Sequence, residues 1–331
     1  MAVFSVLDLA PIPEGSNAGV ALRRSVDLAQ HTEHWGYRRY WVAEHHNMPG
    51  IASAATAVVI GLIAEATSTI RVGAGGIMLP NHAPLIIAEQ FGTLAALYPG
   101  RIDLGLGRAP GTDPHTKVAL RRGLDGDVSA FPRDVVELRR YFEAPAQGQR
   151  VRAVPGAGLD VPIWILGSSL FGAQLAAALG LPYGFASHFA PGDLMPALEI
   201  YRERFEPSEQ CAEPYAMAGF NVVAADTEGD ARLLRSSAQQ SFLKLRAGMP
   251  GLLPPPVEGF EERLSPPERQ LLDQMQSCSA VGTPDMVRHG IDRFIGETGV
   301  DEVILTGHIY DHSARLRSFE LVAKEFALAP S

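Results

Sequence analysis

The sequence is poor in several features that mark particular classes of protein. Its 331 residues include two cysteines, Cys211 and Cys278. Two isolated cysteines exclude a disulfide framework and a cysteine-based zinc site, and they suit a reducing compartment. Positive charge is scarce as well, because 28 lysines and arginines face 37 acidic residues for a net charge of −9. This balance argues against a surface that binds nucleic acid or another polyanion.

Long apolar runs are also missing. The most apolar stretch, residues 51–64, is too short to span a bilayer and contains Ser53 and Thr56. The chain does not open with a basic segment followed by an apolar one, which is the pattern of a secretion signal. We therefore expect a cytoplasmic protein that neither spans a membrane nor binds nucleic acid.

Short apolar runs alternate with helical patterns along the whole chain. Between the runs, apolar residues such as Leu22, Val26 and Ala29 recur at the three- and four-residue spacings of a helix. Strands are predicted at residues 3–9, 39–43, 69–75, 101–107, 161–166, 183–187, 215–225 and 302–307. Apolar strands that are each followed by a helix indicate a parallel sheet covered on its outer face.

Eight such units predict an α/β fold, a single (β/α)8 TIM barrel over residues 1–331, with a doubly wound sheet as the alternative. Insertions are expected after the fourth and seventh strands. The first is a polar, Gly- and Pro-rich segment at 109–131. The second, 247–281, contains six prolines and no clean period. We interpret residues 247–281 as a lid over the barrel mouth, the alternative being a surface excursion.

The second strand ends in Glu44, His45 and His46. Catalytic groups of a TIM barrel lie on the loops that follow its strands, so these side chains are expected at the active rim. Neighbouring side chains of an extended segment point to opposite sides, which leaves one imidazole for any given ligand. This argues against a metal site, and we predict none. One histidine could act as a general acid or base, or both could be structural.

Two glycine-rich stretches follow the third and fourth strands. Gly75 and Gly76, in "GAGGIMLPNHAP", allow either close approach of a flat ligand or a tight turn with positive φ. The stretch "GLGRAPG" resembles a dinucleotide fingerprint but has Pro110 where the last glycine belongs. Arg108 remains, suited to a phosphate or a negatively charged ring edge, or else to a rim salt bridge.

The fifth strand leads into "ILGSSLFGAQ", which is the best anion site of the sequence. Gly167, Ser168 and Ser169 lie between a strand and a helix start, where free N–H groups and the helix dipole favour negative charge. The alternative is ordinary N-capping by Ser169. Glu89 lies early in the third helix, either solvated or reaching the pocket or a partner subunit.

Taken together, "EHHN", "GAGGIMLPNHAPL", "AEQFGTL", "PGRIDLGLGRAPGTD", "WILGSS" and "GHIYDHSARLRSFE" resemble the bacterial luciferase-like flavin monooxygenase family, in its single-component subgroup of unassigned substrate. The resemblance implies a TIM barrel, usually dimeric, that uses reduced FMN and O2. It gives His45 an acid/base role near the flavin. It also implies a cis peptide at Gly75-Gly76 beneath the ring.

The resemblance further implies that Glu89 and Arg108 line the flavin site or a subunit contact. Ser168 and Ser169 match the phosphate-binding turn. Gly107 stands where luciferase α subunits carry a reactive cysteine, which argues against a luciferase-like aldehyde pocket.

We therefore expect a monooxygenase and likewise a homodimer. A separate reductase would supply reduced FMN, and O2 would add to the ring as a C4a-hydroperoxide that oxygenates a small organic substrate. Two alternatives remain open: a deazaflavin-dependent hydride transferase on the same barrel, and a non-catalytic FMN-binding protein.

Overall fold

The computed structural model describes residues 3–109, 114–120 and 128–329. The strands within these ranges are β1 (Val3–Asp8), β2 (Arg39–Val42), β3 (Arg71–Met78), β4 (Ile102–Gly107), β5 (Ile163–Gly167), β6 (Tyr183–Phe185), β7 (Ala216–Ala224), β8 (Ser279–Gly282) and β9 (Glu302–Thr306).

The α-helices within these ranges lie between and after the strands. They are α1 (Ala18–His34), α2 (Thr56–Ala66), α3 (Pro84–Leu97), α4 (Pro114–Leu120), α5 (Phe131–Phe142), α6 (Leu170–Leu179), α7 (Leu194–Glu203), α8 (Glu228–Arg246), α9 (Pro266–Gln276), α10 (Pro284–Thr298) and α11 (His312–Glu325). No helix in the described part of the chain is both long and apolar enough to cross a membrane.

The sheet closes on itself. Strands β1 to β6 pair in chain order, β6 pairs with β7, β7 with β9, and β9 with β1, all in parallel. The closing ladder aligns Tyr183 with Ala216, and β9 returns to β1 with Val303 opposite Phe4. The prediction of a (β/α)8 barrel is confirmed, and the doubly wound alternative is wrong. Each of the eight predicted strands is present, with its ends shifted by a few residues.

Both predicted insertions contain elements that the sequence pattern missed. Residues 247–281 include α9, which begins with a capping box between Ser265 and Glu268, and most of β8. Strand β8 pairs with the end of β7, where Ala280 lies opposite Val222. The earlier insertion, 109–131, contains α4. Its residues 110–113 and 121–127, Pro110 among them, lie outside the described residues.

The barrel has two apolar layers because alternate residues of each strand point inward and outward. In β1, Phe4 and Val6 belong to the large core between sheet and helices. Leu7 belongs to a smaller cluster in the middle of the barrel, where Trp41 and Trp164 meet edge to face at 5.1 Å.

Below that cluster, at the amino ends of the strands, lies a buried ionic network. The Arg39 guanidinium forms ion pairs with Asp103 at 2.8 Å and with Glu302 at 3.0 Å. Arg71 pairs with the other oxygen of Asp103 at 2.6 Å. Both carboxylates are fully buried, so this end of the barrel is closed by charges that satisfy one another.

Candidate active site

The loop after β2 is held by a buried carboxylate at the carboxyl ends of the strands. Glu44 accepts hydrogen bonds from His46 Nε2 at 2.6 Å, from His82 Nε2 at 2.8 Å and from the Met78 amide at 3.0 Å. Burial alone would raise the pKa of Glu44, but these hydrogen bonds outweigh it and hold the pKa at about 2. Glu44 therefore stays ionised and ties the loops after β2 and β3 together.

Glu44, His46 and His82 also have the donor set of a small metal site. One ligand atom from each lies within 4.8 Å of the others, and two imidazoles with a carboxylate suit a divalent cation such as zinc. In this structure both imidazoles hydrogen-bond to the Glu44 carboxylate. Sequence reasoning missed His82 because it is far from Glu44 along the chain and no spacing links them.

His45 has different neighbours from His46, as expected for adjacent residues of an extended segment. Its Nδ1 atom is buried without a hydrogen-bond partner, although the side chain as a whole is partly exposed. Burial lowers the pKa of His45, and the nearby Glu44 opposes the shift. A pKa below its usual value keeps the ring uncharged at neutral pH, the state that a general base needs.

The peptide bond between Gly75 and Gly76 in β3 is cis, as the resemblance implies. Neither residue has positive φ, so the alternative of a positive-φ turn is wrong. A Cβ atom on Gly75 would lie 2.7 Å from Leu7 Cδ1, and one on Gly76 would lie 2.7 Å from the Gly105 carbonyl oxygen. Close packing of β3 against its neighbours inside the barrel is thus one reason for these glycines.

Arg108 and the start of α6 come together on the same rim. The Arg108 guanidinium carbon lies 4.1 Å from the centre of the Phe171 ring in the first turn of α6. No ion pair in the described ranges involves Arg108, so the predicted alternative of a rim salt bridge is not observed there. The cation remains available to a negatively charged ligand.

The first residues of α6 leave their amides without a side-chain cap. Ser169 is the N-cap residue, but its side chain makes no capping hydrogen bond, so the alternative of ordinary capping is wrong. Ser168 is exposed, and Gly167 and Ser169 are partly exposed. An uncapped helix start beside an arginine favours an anion electrostatically and offers it several N–H donors.

Glu89 stands apart from this group. It lies in α3, in the outer ring of helices, with a half-buried side chain. Its carbonyl oxygen accepts a hydrogen bond from the Thr93 hydroxyl. Within the described ranges no hydrogen bond joins the Glu89 carboxylate to His45, Arg108 or the start of α6.

The structure adds two histidines that the sequence analysis did not select. His188 follows β6 and His308 follows β9. Burial and the repulsion of charged neighbours lower the pKa of each to about 4. Their position in the sequence could have identified both histidines, because each comes directly after a predicted strand, where barrel enzymes place reactive groups.

A cavity of about 700 Å³ opens at the opposite, amino end of the barrel. Its lining includes Arg39, Arg71 and Asp103, whose charges are already paired. In a TIM barrel the reactive groups lie at the other end, on the loops that follow the strands. We therefore assign the chemistry to the carboxyl ends of the strands despite the size of this cavity.

A closed parallel barrel with titratable side chains and an uncapped helix start at the carboxyl ends of its strands has the architecture of a TIM-barrel enzyme. The chain belongs to the luciferase-like monooxygenase family, whose model matches residues 3–302.

Its relatives agree with this assignment over the full length. The chain is 57% identical over 318 residues to a luciferase-like monooxygenase of Escherichia coli K12, covering 96% of this chain and 95% of the relative. The crystal structure of apo-MsnO8 matches with a TM-score of 0.93, 34% identity and complete coverage of both chains. The fold also matches the oxygenating component of 3,6-diketocamphane monooxygenase in complex with FMN, with a TM-score of 0.73, 20% identity, and coverage of 100% and 99%.

Proposed function

We propose that this protein is a flavin-dependent monooxygenase that uses reduced FMN and O2 to oxygenate a small organic substrate. The observation that carries the proposal is the arrangement of the rim. An uncapped helix start with Arg108 beside it lies on the same end of the barrel as His45, an imidazole kept uncharged by burial. The first group suits a phosphate and the second suits proton transfer.

The donor set fits FMN. The amides and hydroxyls of Ser168 and Ser169, together with the Gly167 amide and the Arg108 guanidinium, would hold the phosphate. The backbone at Gly75 and Gly76 would lie against the ring. When bound, the reduced flavin would supply two of the four electrons that reduce O2, and the substrate would supply the other two as it accepts one oxygen atom.

The chain contributes proton handling and exclusion of water. His45 would accept or donate a proton through its ring at the reacting end of the substrate. Glu44 would keep the adjoining loop in place through its three hydrogen bonds. Residues 247–281 would act as the lid: the Leu253 amide bonds to the Ile12 carbonyl and its carbonyl accepts from the Glu14 amide, which ties this segment to the loop after β1.

The proposal includes two protein partners. A separate reductase would deliver reduced FMN. A second copy of the chain would cover exposed apolar side chains on the neighbouring helices α2 and α3, among them Val58, Leu62 and Leu97. Exposed large apolar side chains on neighbouring helices suit a subunit contact.

Mixing experiments test the proposal directly. The protein is titrated anaerobically with reduced FMN, mixed with O2, and followed by absorbance and by H2O2 release. We expect tight binding and a return of oxidised flavin much slower than for free FMN. His45→Asn should bind reduced FMN normally but release H2O2 faster, whereas His34→Ala, on the exposed face of α1, should behave like the unchanged protein.

Three outcomes would contradict the proposal. Reoxidation as fast as that of free FMN would exclude a protected oxygen reaction and favour a storage protein. Binding of a reduced deazaflavin in preference to reduced FMN would favour a hydride transferase. Identical behaviour of His45→Asn and the unchanged protein would remove the acid/base role of His45.

A further inference from the structure

A carboxylate and two imidazoles converge where the loops after β2 and β3 meet. His46 Nε2 and His82 Nε2 lie 2.6 Å and 2.8 Å from the same oxygen of Glu44, Oε1. Each residue offers one ligand atom within 4.8 Å of the other two, and the three form the one group of this kind in the described ranges. We call them the Glu44–His46–His82 cluster.

The cluster differs from the pair of adjacent histidines that is visible in the sequence. Neighbouring residues of an extended segment point to opposite sides, so His45 and His46 were not expected to share a ligand. The second imidazole belongs instead to His82, which follows β3. Two imidazoles on different loops can face one point, so the reason for predicting no metal at His45 and His46 does not apply to this cluster.

The distances in the cluster are close to those of a metal centre. Zinc binds imidazole nitrogen at about 2.0–2.1 Å and carboxylate oxygen at about 2.0–2.2 Å, so two ligand atoms of a tetrahedral ion lie about 3.3 Å apart. The two nitrogen–oxygen distances would therefore lengthen by about 0.5–0.7 Å to admit the ion. Each ring would bind through Nε2 and carry its hydrogen on Nδ1.

The carboxylate already has the orientation that such a site needs. The Met78 amide donates to Glu44 Oε2 at 3.0 Å, while Oε1 faces the two rings. Ligating carboxylates are commonly held by hydrogen bonds from outside the ligand set. The Glu44 side chain is 1% exposed, whereas those of His46 and His82 are 15% and 26% exposed. An ion would thus reach the cluster from the side of the rings.

We propose that Glu44, His46 and His82 bind a single divalent transition-metal ion, of which Zn2+ is the best match, and that the bound ion links the loops after β2 and β3. Two nitrogen ligands and one carboxylate suit zinc, whereas Mg2+ and Ca2+ prefer oxygen ligands throughout. This inference goes beyond the proposed monooxygenase function and does not depend on flavin, so each can fail without the other.

Metal binding to the untagged full chain tests the proposal. The protein is stripped with EDTA, and zinc binding is measured by isothermal titration calorimetry in a buffer with excess Mg2+. We expect one Zn2+ per chain and a Tm that rises with zinc and returns to its starting value with EDTA, because an ion that binds only the folded chain stabilises it. Absence of a one-to-one site, or its loss in excess Mg2+, would overturn the proposal.

His82→Gln removes one ligand from the cluster. A glutamine can still donate a hydrogen bond to Glu44, yet its amide is not among the usual zinc ligands. The Kd for zinc should rise at least about 100-fold, because even the hydrogen-bond partners of ligands contribute about 10–100-fold to metal affinity. An unchanged Kd would show that zinc binds elsewhere.

The matched control is His312→Gln. His312 pairs with a different carboxylate, Asp27, at 2.7 Å, so this change also removes an imidazole from a carboxylate–imidazole pair. It should leave the Kd for zinc unchanged. A loss as large as that in His82→Gln would contradict the assignment of zinc to the cluster.

X-ray absorption spectroscopy of the zinc-loaded protein decides the question if His82→Gln fails to fold. The spectrum counts the imidazoles around zinc and detects sulfur ligands. We expect two imidazoles and no sulfur. Fewer than two imidazoles, or a sulfur ligand from Cys211 or Cys278, would overturn the proposal.

Discussion

The buried polar groups at the two ends of the barrel differ in whether they have hydrogen-bond or ion-pair partners. At the amino end, Arg39 pairs with Asp103 and Glu302, and the network is closed. At the carboxyl end, the rings of His45, His188 and His308 each contain a buried nitrogen without a hydrogen-bond partner within the described residues, and Arg108 has no carboxylate partner there. Paired groups stabilise the fold and leave nothing for a ligand. Unpaired groups cost stability, and an unpaired cation such as Arg108 is free to bind an anion, which is why we propose that the second end is the functional one.

Glu44 refines this comparison. It lies at the carboxyl end, yet in the described part of the chain its side chain bonds to His46, His82 and the last amide of β3. The carboxyl end therefore contains a fixed support of its own beside groups that lack partners.

Breaking the amino-end network should have the largest effect. Arg39→Met leaves Glu302 and part of Asp103 as uncompensated buried carboxylates, so we expect the free energy of unfolding to fall by about 3–5 kcal/mol. Urea denaturation measures the change. Arg317→Ala removes an exposed pair with Asp226 and should cost about 0–1 kcal/mol. Similar losses in the two variants would show that the buried network does not stabilise the barrel.

The Glu44 carboxylate should give a smaller, pH-dependent effect. Its pKa is about 2 in the folded protein against 4.5 for an unperturbed glutamate. A lowered folded pKa stabilises at pH values above 4.5, and this stabilisation disappears as the pH falls towards 2. The difference in unfolding free energy between the protein and Glu44→Gln should therefore approach about 3 kcal/mol near neutral pH and shrink in acid. A difference that stays constant between about pH 6 and about pH 3 would contradict this origin.

The smallest expected effect concerns Arg108. Arg108→Ala would remove the proposed charge-assisted hydrogen bond to the phosphate, so the Kd for FMN should rise about 10-fold. Riboflavin lacks the phosphate, and its Kd should not change. Flavin fluorescence quenching measures both. An equal loss for FMN and riboflavin would place Arg108 at the ring instead of the phosphate.

Local patterns predicted most of the fold. Eight apolar runs correspond to the eight barrel strands. A strand that is covered on both faces consists almost entirely of apolar residues, so it is visible in the sequence as a continuous apolar run. The pattern missed α9, although Ser265 and Glu268 have the spacing of a capping box. It also missed the four-residue β8, which is too short to show a period and is defined by its pairing with β7.

The site could be predicted only in part. His45 and Arg108 follow strands, and that position alone placed them on the rim. The sequence could not show why position 76 is a glycine. A larger residue there would collide with Gly105, which lies on the neighbouring strand. Capping by Ser169 was a reasonable expectation from its position, but its side chain makes no capping bond.

The sequence by itself determined the barrel, because the barrel follows from patterns with periods of a few residues. Only the tertiary structure decided the pairing of Glu44 with His82 and the contact of Arg108 with Phe171. These partners are far apart along the chain, and no spacing encodes their contact. Closure of the sheet brings the strand ends together, and with them the groups on which the proposed chemistry depends.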